Sequence, residues 1–329
     1  MPSLRELCFN QNIVGDGVVE AFSKNLSSNL PLEKFVFSGN ASRKDIGDDF
    51  ASIIKSCPNL RHLDLSYSGL GDEEMKAVID ALKFVPHLKS LNLSGCKLTQ
   101  ISMTYLCEKL SCIHELVSLS LENNIDIGAE GVKALAEGLH KVPRLESLSL
   151  HDVNRNTDSA KETSRVIYTS LGQAFAHCPR LTRLDMSANL LHQGKFVGDC
   201  IKMAPKLISL DLSGNAFQDE GVESLAEVLP CLQGLSELSL NRNYITCNGL
   251  TSLCESYKEL EARSRRSCGF TEEKLHKCYV SLKEDTFKLL MTSAHAHSSL
   301  EGIYLSQTAI PKGTDPQDYP RLRLIGQYK

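Results

Sequence analysis

The sequence predicts an α/β solenoid, a right-handed horseshoe with a parallel inner β-sheet of about eleven strands and α-helices on the outside. Two observations predict it. A six-residue string of the pattern L-x-x-L-x-L recurs along the 329 residues, and each copy is followed by apolar residues at helical spacing. Because one strand–helix unit cannot bury its own apolar face, the units must stack to form a continuous core.

The repeat is recovered ten times when Phe, Ile and Met are accepted in place of Leu. The string begins at Leu4, Leu32, Leu60, Leu88, Leu116, Leu145, Leu181, Leu207, Leu235 and Leu300. Most successive starts are 28 or 29 residues apart, whereas the step after Leu145 is 36 residues and the step after Leu235 is 65. The longest step leaves room for one degraded copy, which gives about eleven repeats.

Each repeat combines two periodicities. Its first six residues alternate apolar and polar, as in a half-buried strand, and its second half has helical spacing, as at Val222, Leu225, Ala226 and Leu229. Parallel strands lie about 4.8 Å apart, but packed helices need about 8–10 Å. The strands are therefore expected on the inner wall and the helices on the outer one.

This pattern resembles the leucine-rich-repeat proteins of the ribonuclease-inhibitor-like subclass, whose units have 28–29 residues and a full outer helix. The resemblance implies that the ninth residue of each unit is structural, with an Asn or Cys side chain that satisfies backbone groups where the chain leaves the strand. The ninth residues are Asn12, Asn40, Ser68, Cys96, Asn124, Val153, Asn189, Asn215, Asn243 and Thr308. The resemblance specifies the fold but not the function, because many binding proteins share this scaffold.

We predict a single leucine-rich-repeat domain over 1–329 with three irregular segments. Residues 151–165 are expected to form a polar inserted loop at the sheet edge, and 251–275 an irregular repeat whose strand lies near Arg263 or twelve residues later. Residues 311–329 are expected to form a C-terminal cap with a closing strand at Leu322–Ile325. Because the first repeat has no polar cap, we expect the chain to be a fragment of a larger protein.

Composition excludes several classes of function. A net charge of −4 and a pI near 6.2 argue against nucleic acid as the main partner. No apolar run approaches the length of a membrane span, and no secretion signal is recognised. We therefore expect a monomeric, cytoplasmic protein whose twelve cysteines are reduced. We expect no enzymatic activity, no cofactor and no metal, since His295 and His297 have no further ligands at suitable spacing.

The candidate binding surface is the concave strand face together with the edge loops that follow the strands. The concave positions are mostly Ser, Asp and Asn, whereas the loops carry larger anchors. The predicted protein-binding residues are Tyr67, Lys97, His151, Arg155, Arg183, Asp185, Arg242 and Tyr244. We therefore predict a protein-interaction module, such as an innate-immune receptor sensor, a cytoskeletal regulator or an effector delivered into host cells. A purely structural spacer is an alternative.

A second alternative comes from a local resemblance. The segment 37–45, followed by Cys57-Pro58-Asn59-Leu60, resembles an early repeat of Ran GTPase-activating proteins. In that family a loop arginine is essential, and the match points to Arg43 as the catalytic candidate, since a cation stabilises charge on a transferring phosphoryl group. The family's aromatic-Thr-Gly-Arg loop is Asn-Ala-Ser-Arg here.

Overall fold

The computed structural model describes most of the first 256 residues and three strands beyond them. The described residues are 3–12, 16–40, 46–155, 160–232, 234–235, 237–246, 248–253 and 255–256, with the backbone of 272–274, 303–306 and 322–325. The chain divides into two compact units. Unit one comprises 1–156 and 174–181, and unit two comprises 157–173 and 182–329.

Unit one is a stack of short parallel strands that pair in chain order. The strands are β1 Glu6–Cys8, β2 Lys34–Val36, β3 His62–Asp64, β4 Ser90–Asn92, β5 Ser118–Ser120 and β6 Ser147–Ser149. Residues at equivalent repeat positions lie opposite each other, as for Leu63, Leu91 and Leu119. Each strand begins two residues after the start of its L-x-x-L-x-L string, so the predicted register is confirmed.

Unit two has the same arrangement. Its strands are β7 Arg183–Asp185, β8 Ser209–Asp211, β9 Glu237–Ser239, β10 Glu272–Lys274, β11 Ile303–Ser306 and β12 Leu322–Ile325. They also pair in parallel and in chain order. The described residues thus contain twelve strands, where about eleven repeats were predicted. The closing strand predicted at Leu322–Ile325 is present as β12, which pairs with β11.

A helix follows each of the first eight strands. The helices are α1 Asp16–Asn25, α2 Gly47–Lys55, α3 Asp72–Ala81, α4 Gln100–Lys109, α5 Gly128–Gly138, α6 Ala160–Phe175, α7 Val197–Lys202 and α8 Asp219–Val228. From the second to the ninth repeat, the apolar residues at positions one, four and six are buried together with the inner faces of these helices. In the first repeats Phe replaces Leu, and Phe37 meets Phe50 edge-on with ring centroids 5.1 Å apart.

Two expectations about the irregular segments differ from the structure. The expected loop 151–165 is shorter, because α6 begins at Ala160 and its sixteen residues take up the last part of the insertion. Leu171 and Phe175 are buried, as the repeat register requires. In the irregular repeat 251–275 the strand β10 occupies 272–274, between the two registers considered. Charged residues form this strand, so the hydrophobic alternation carried no signal for it.

Candidate functional site

The turn after each strand has one constant backbone feature. The eighth residue of each of the first nine repeats has a left-handed conformation, with φ between 50° and 70°. These residues are Gln11, Gly39, Tyr67, Gly95, Asn123, Asp152, Ala188, Gly214 and Arg242. Positive φ is uncommon for residues other than glycine. The sharp turn directs the chain out of the strand and toward the helix, and it leaves the eighth side chain at the rim of the sheet.

The ninth residue of the repeat holds this turn in place, as predicted. Buried Asn124 accepts hydrogen bonds on Oδ1 from the backbone N–H groups of Cys96 (2.9 Å) and Leu98 (3.1 Å) in the preceding repeat. Its Nδ2 donates to the carbonyls of Leu93 (2.9 Å) and Leu121 (2.8 Å). One amide thus satisfies four backbone groups in two repeats, which explains why an Asn is preferred in a buried turn.

Tyr67, one of the predicted binding residues, is held in place at the rim of unit one. Its side chain is 48% exposed, and its ring lies directly over Gly95, where an added Cβ would come within 2.3 Å of a ring carbon. Its Oη accepts a 2.5 Å hydrogen bond from Nδ2 of Asn123. Three successive repeats therefore fix one aromatic ring at the rim. Lys97 is exposed on the same rim and also has a left-handed backbone.

The insertion begins with an ion pair. Arg155 donates from Nε and Nη2 to the two carboxylate oxygens of Asp152, at 2.6 Å and 2.5 Å. The Asp152 side chain is only 5% exposed, while that of Arg155 is 61% exposed. The hydrogen bonds and the charge of Asp152 raise the pKa of the Arg155 guanidinium. The neighbouring His151 is partly exposed, and the ninth residue, Val153, is buried.

Unit two carries the remaining predicted residues. Arg183 is exposed and Asp185 half-buried on the open face of β7, and Asp185 accepts hydrogen bonds on Oδ1 from the backbone N–H and hydroxyl of Ser187. Arg242 is an exposed eighth residue, and Tyr244, 66% exposed, lies two residues further along the rim. The structure thus divides the predicted set into one group in each unit.

The open face of the strands, formed by positions three, five and seven of each repeat, is made of small polar side chains. Ser66 donates to Oγ of Ser38 at 2.8 Å, and the hydroxyls of Ser94 and Ser120 lie at the same distance. From β1 to the end of the turn after β9, this face has six carboxylates and two cations, Lys34 and Arg183. The carboxylates are Glu6, Asp64, Glu122, Asp185, Asp211 and Glu237. The face is therefore acidic in both units.

The described residues were compared with the geometry of metal sites and membrane spans. No group of three His, Cys, Asp or Glu side chains among them is placed to hold a metal ion. Their eight cysteines are unpaired thiols, and burial raises the pKa of Cys57 and Cys178 to about 11. No described helix is long and apolar enough to cross a membrane. The catalytic candidate Arg43 and the pair His295 and His297 lie outside the described residues.

Two contacts could not be read from the hydrophobic pattern. One is the Tyr67–Asn123 hydrogen bond described above. The other is an acidic cap between helices of adjacent repeats. Asp72 at the start of α3 accepts hydrogen bonds from the N–H and the hydroxyl of Thr99 (3.1 and 2.6 Å) and from the hydroxyl of Ser102. Although burial raises the pKa of Asp72, the hydrogen bonds from Ser102 and Thr99 outweigh it, and the net pKa is lowered.

Comparisons with known proteins agree with the repeat architecture. The family described as Leucine Rich repeat matches residues 56–78, 86–107 and 204–226. The chain is 30% identical to the ribonuclease inhibitor of Sus scrofa over 82% of its own length and 59% of that protein. It is 31% identical to NACHT, LRR and PYD domains-containing protein 14 of Homo sapiens over 77% of its own length and 22% of that protein. The chain thus spans only part of these relatives.

Two solved structures share the fold over 98% of this chain. They are an internalin from Listeria monocytogenes, with a TM-score of 0.51 and 17% identity over 86% of that chain, and the TLR13–ssRNA13 complex, with a TM-score of 0.56 and 19% identity over 46% of that chain. At these identities the likeness concerns the fold alone.

Proposed function

Since the chain is a leucine-rich-repeat protein with units of ribonuclease-inhibitor-like length, we propose that it is a non-enzymatic module that binds a basic protein. The open strand face and its rim are the proposed contact surface. The observation that carries the proposal is the excess of carboxylates on that face, six against two cations, in both units. Electrostatic complementarity speeds association and selects the partner.

The composition of the proposed surface suits selective recognition of a partner by a few anchor residues. Its floor consists of small side chains, and its larger groups stand at the rim, as Tyr67, Arg155, Arg242 and Tyr244 do. Tyr and Arg are over-represented among the residues that dominate binding energy. In this proposal the orientation of the bound partner is adjusted by peripheral residues, namely Lys97, His151, Arg183 and Asp185.

The relatives suggest the biological setting. Ribonuclease inhibitors, by their name, act on another protein, and the NACHT, LRR and PYD proteins carry a leucine-rich-repeat part beside other domains. We propose that this chain is the sensor portion of a receptor of the second kind and acts in the cytoplasm as a monomer. No described residue favours the GTPase-activating or spacer alternatives over this one.

The test reverses two charges on the open face of unit two. The control reverses two charges on helix α8 of the same unit. The variant Asp211→Lys with Glu237→Lys and the control Glu220→Lys with Glu223→Lys change the net charge equally, and the control residues are exposed on α8. Basic proteins captured by the wild type would be identified, purified and measured by calorimetry. We expect about ten-fold weaker binding for the face variant and little change for the control. Equal losses would contradict the proposal.

A further inference from the structure

The rim around Tyr67 has the features of a receptor for one cationic side chain. The aromatic ring rests on Gly95, so its other face is turned away from that backbone, and the residue is 48% exposed. The face of an aromatic ring carries negative electrostatic potential and attracts ammonium and guanidinium groups. An exposed tyrosine usually samples several rotamers, but this one is held.

The ring is held from both ends. The left-handed backbone of Tyr67, with φ of 52°, fixes the direction in which the side chain leaves the turn. At the far end Oη is fixed by Nδ2 of Asn123, 56 residues away in sequence. Glycine at position 95 is required, since its φ is 61° and a Cβ would overlap the ring. A fixed aromatic ring loses little conformational entropy when a partner binds.

A glutamate stands next to the asparagine that holds the ring. Glu122 immediately precedes Asn123, and its carbonyl accepts a 2.7 Å hydrogen bond from the N–H of Gly95, the residue on which the ring rests. Its half-buried side chain makes no ion pair within the described part of the chain. Lys97 in the preceding repeat is exposed and carries the opposite charge.

We infer that Tyr67 and Glu122 together bind an arginine side chain of the partner, with Asn123 and Gly95 as positioning residues. This inference rests on the proposed function and narrows it, because it identifies the group of a basic partner that docks on unit one. Arginine is favoured over lysine because its planar guanidinium stacks on an aromatic face while it pairs with a carboxylate.

The test uses an N-acetylated tetra-arginine amide peptide as the probe and nuclear magnetic resonance as the readout. For the wild type we expect ring-current shifts on the arginine δ-methylene protons, stronger than those on the ε-methylene protons of the corresponding tetra-lysine peptide. Tyr67→Asn keeps a residue that tolerates the left-handed turn but removes the ring. We expect it to abolish the shifts and weaken binding about two- to five-fold.

Further variants separate the roles. Glu122→Gln should weaken binding of the tetra-arginine peptide while keeping the ring-current shifts, and Lys97→Ala should tighten it. Asn123→Ala should release the ring and reduce the shifts, with Tyr67 still present. Phe84→Leu is the control, because Phe84 is an exposed aromatic residue that follows α3, outside the open face and the rim, and it should have no effect. Tyr67→Gly also removes the ring and keeps the left-handed turn, so it provides the same test if Tyr67→Asn does not fold.

The outcomes distinguish this inference from the proposed function. If the open-face variants lose their protein partner but Tyr67→Asn and Tyr67→Gly bind the tetra-arginine peptide like the wild type, the arginine site is wrong and the binding module stands. If the ring-current shifts appear and depend on Tyr67 while no protein partner depends on the open face, the arginine site stands and the proposed function fails. Loss of the shifts in Phe84→Leu would also overturn the assignment.

Discussion

The ninth-position side chains differ between the two units. In unit two, Asn189, Asn215 and Asn243 follow one another without a break, and the backbone N–H of each of the first two donates to the Oδ1 of the next. In unit one the series is interrupted, since Ser68, Cys96 and Val153 stand among the asparagines. The Ser68 hydroxyl donates within its own repeat, to the carbonyl of Leu65 at 2.5 Å. The comparison shows that asparagine connects neighbouring repeats, whereas serine mainly closes a local turn.

The largest expected effect comes from removing one asparagine of the unbroken series. Asn243 accepts from the N–H groups of Asn215 and Phe217 and donates to the carbonyls of Leu212 and Leu240, all between 2.9 and 3.1 Å. Asn243→Ala should lower the free energy of unfolding by about 2–4 kcal/mol, because buried backbone groups lose their partners. Ser68→Ala should cost about 1 kcal/mol. Urea unfolding of both variants measures the difference, and equal losses would remove the distinction drawn between the units.

The acidic caps between helices provide a second comparison of the same kind. Asp219 in unit two accepts from the N–H and hydroxyl of Thr246, as Asp72 does from Thr99, but Gly249 stands in the place of Ser102. Asp72 therefore has a third donor, and its lowered pKa stabilises the fold at neutral pH. This contribution is present above the ordinary value of 3.8 and is lost as the pH falls through the lower folded value.

Asp72→Asn should therefore destabilise the protein at pH 7. It should also reduce the pH dependence of the free energy of unfolding between about pH 5 and pH 2. Chemical unfolding measured across this range tests the expectation. Glu73→Gln is the matched control, since Glu73 is exposed in the same helical turn. An unchanged acid profile in Asp72→Asn would show that the three hydrogen bonds do not favour the ionised form.

The smallest expected effect concerns a buried tyrosine in unit two. Tyr168 is 1% exposed and occupies the helical slot filled by Val132 in unit one, but its hydroxyl has no hydrogen-bond partner among the described residues. Tyr168→Phe should raise the free energy of unfolding by about 1 kcal/mol, since an unsatisfied buried polar group is removed. Tyr105→Phe should have the opposite sign, because the Tyr105 hydroxyl donates to Asp80 at 2.5 Å. A loss of stability in Tyr168→Phe would point to a bound water.

The sequence pattern predicts the regular repeats correctly, but it does not predict the segments where the pattern is interrupted. Strands β1 to β9 and the asparagine turns follow from a residue spacing that recurs from repeat to repeat. Strand β10 does not, because Glu272–Lys274 lack apolar alternation and are placed by pairing with β9. The Tyr67–Asn123 contact was also beyond prediction. It joins residues two repeats apart, and it depends on the absence of a side chain at Gly95. It becomes visible only when equivalent positions of successive repeats are stacked in the structure.

The left-handed eighth position has a consequence for how this surface can change. Its backbone is fixed by the neighbouring ninth residue and not by its own side chain, so the residue there can be exchanged without altering the core. Glycine relaxes the turn, while any larger residue retains some conformational strain of about 1 kcal/mol. Each repeat whose eighth residue is exposed therefore offers one variable contact point, and Gly95 can be replaced only together with Tyr67. A library randomised at the eighth positions, including Ala188, Gly214 and Arg242, would redesign recognition while leaving the scaffold sequence untouched.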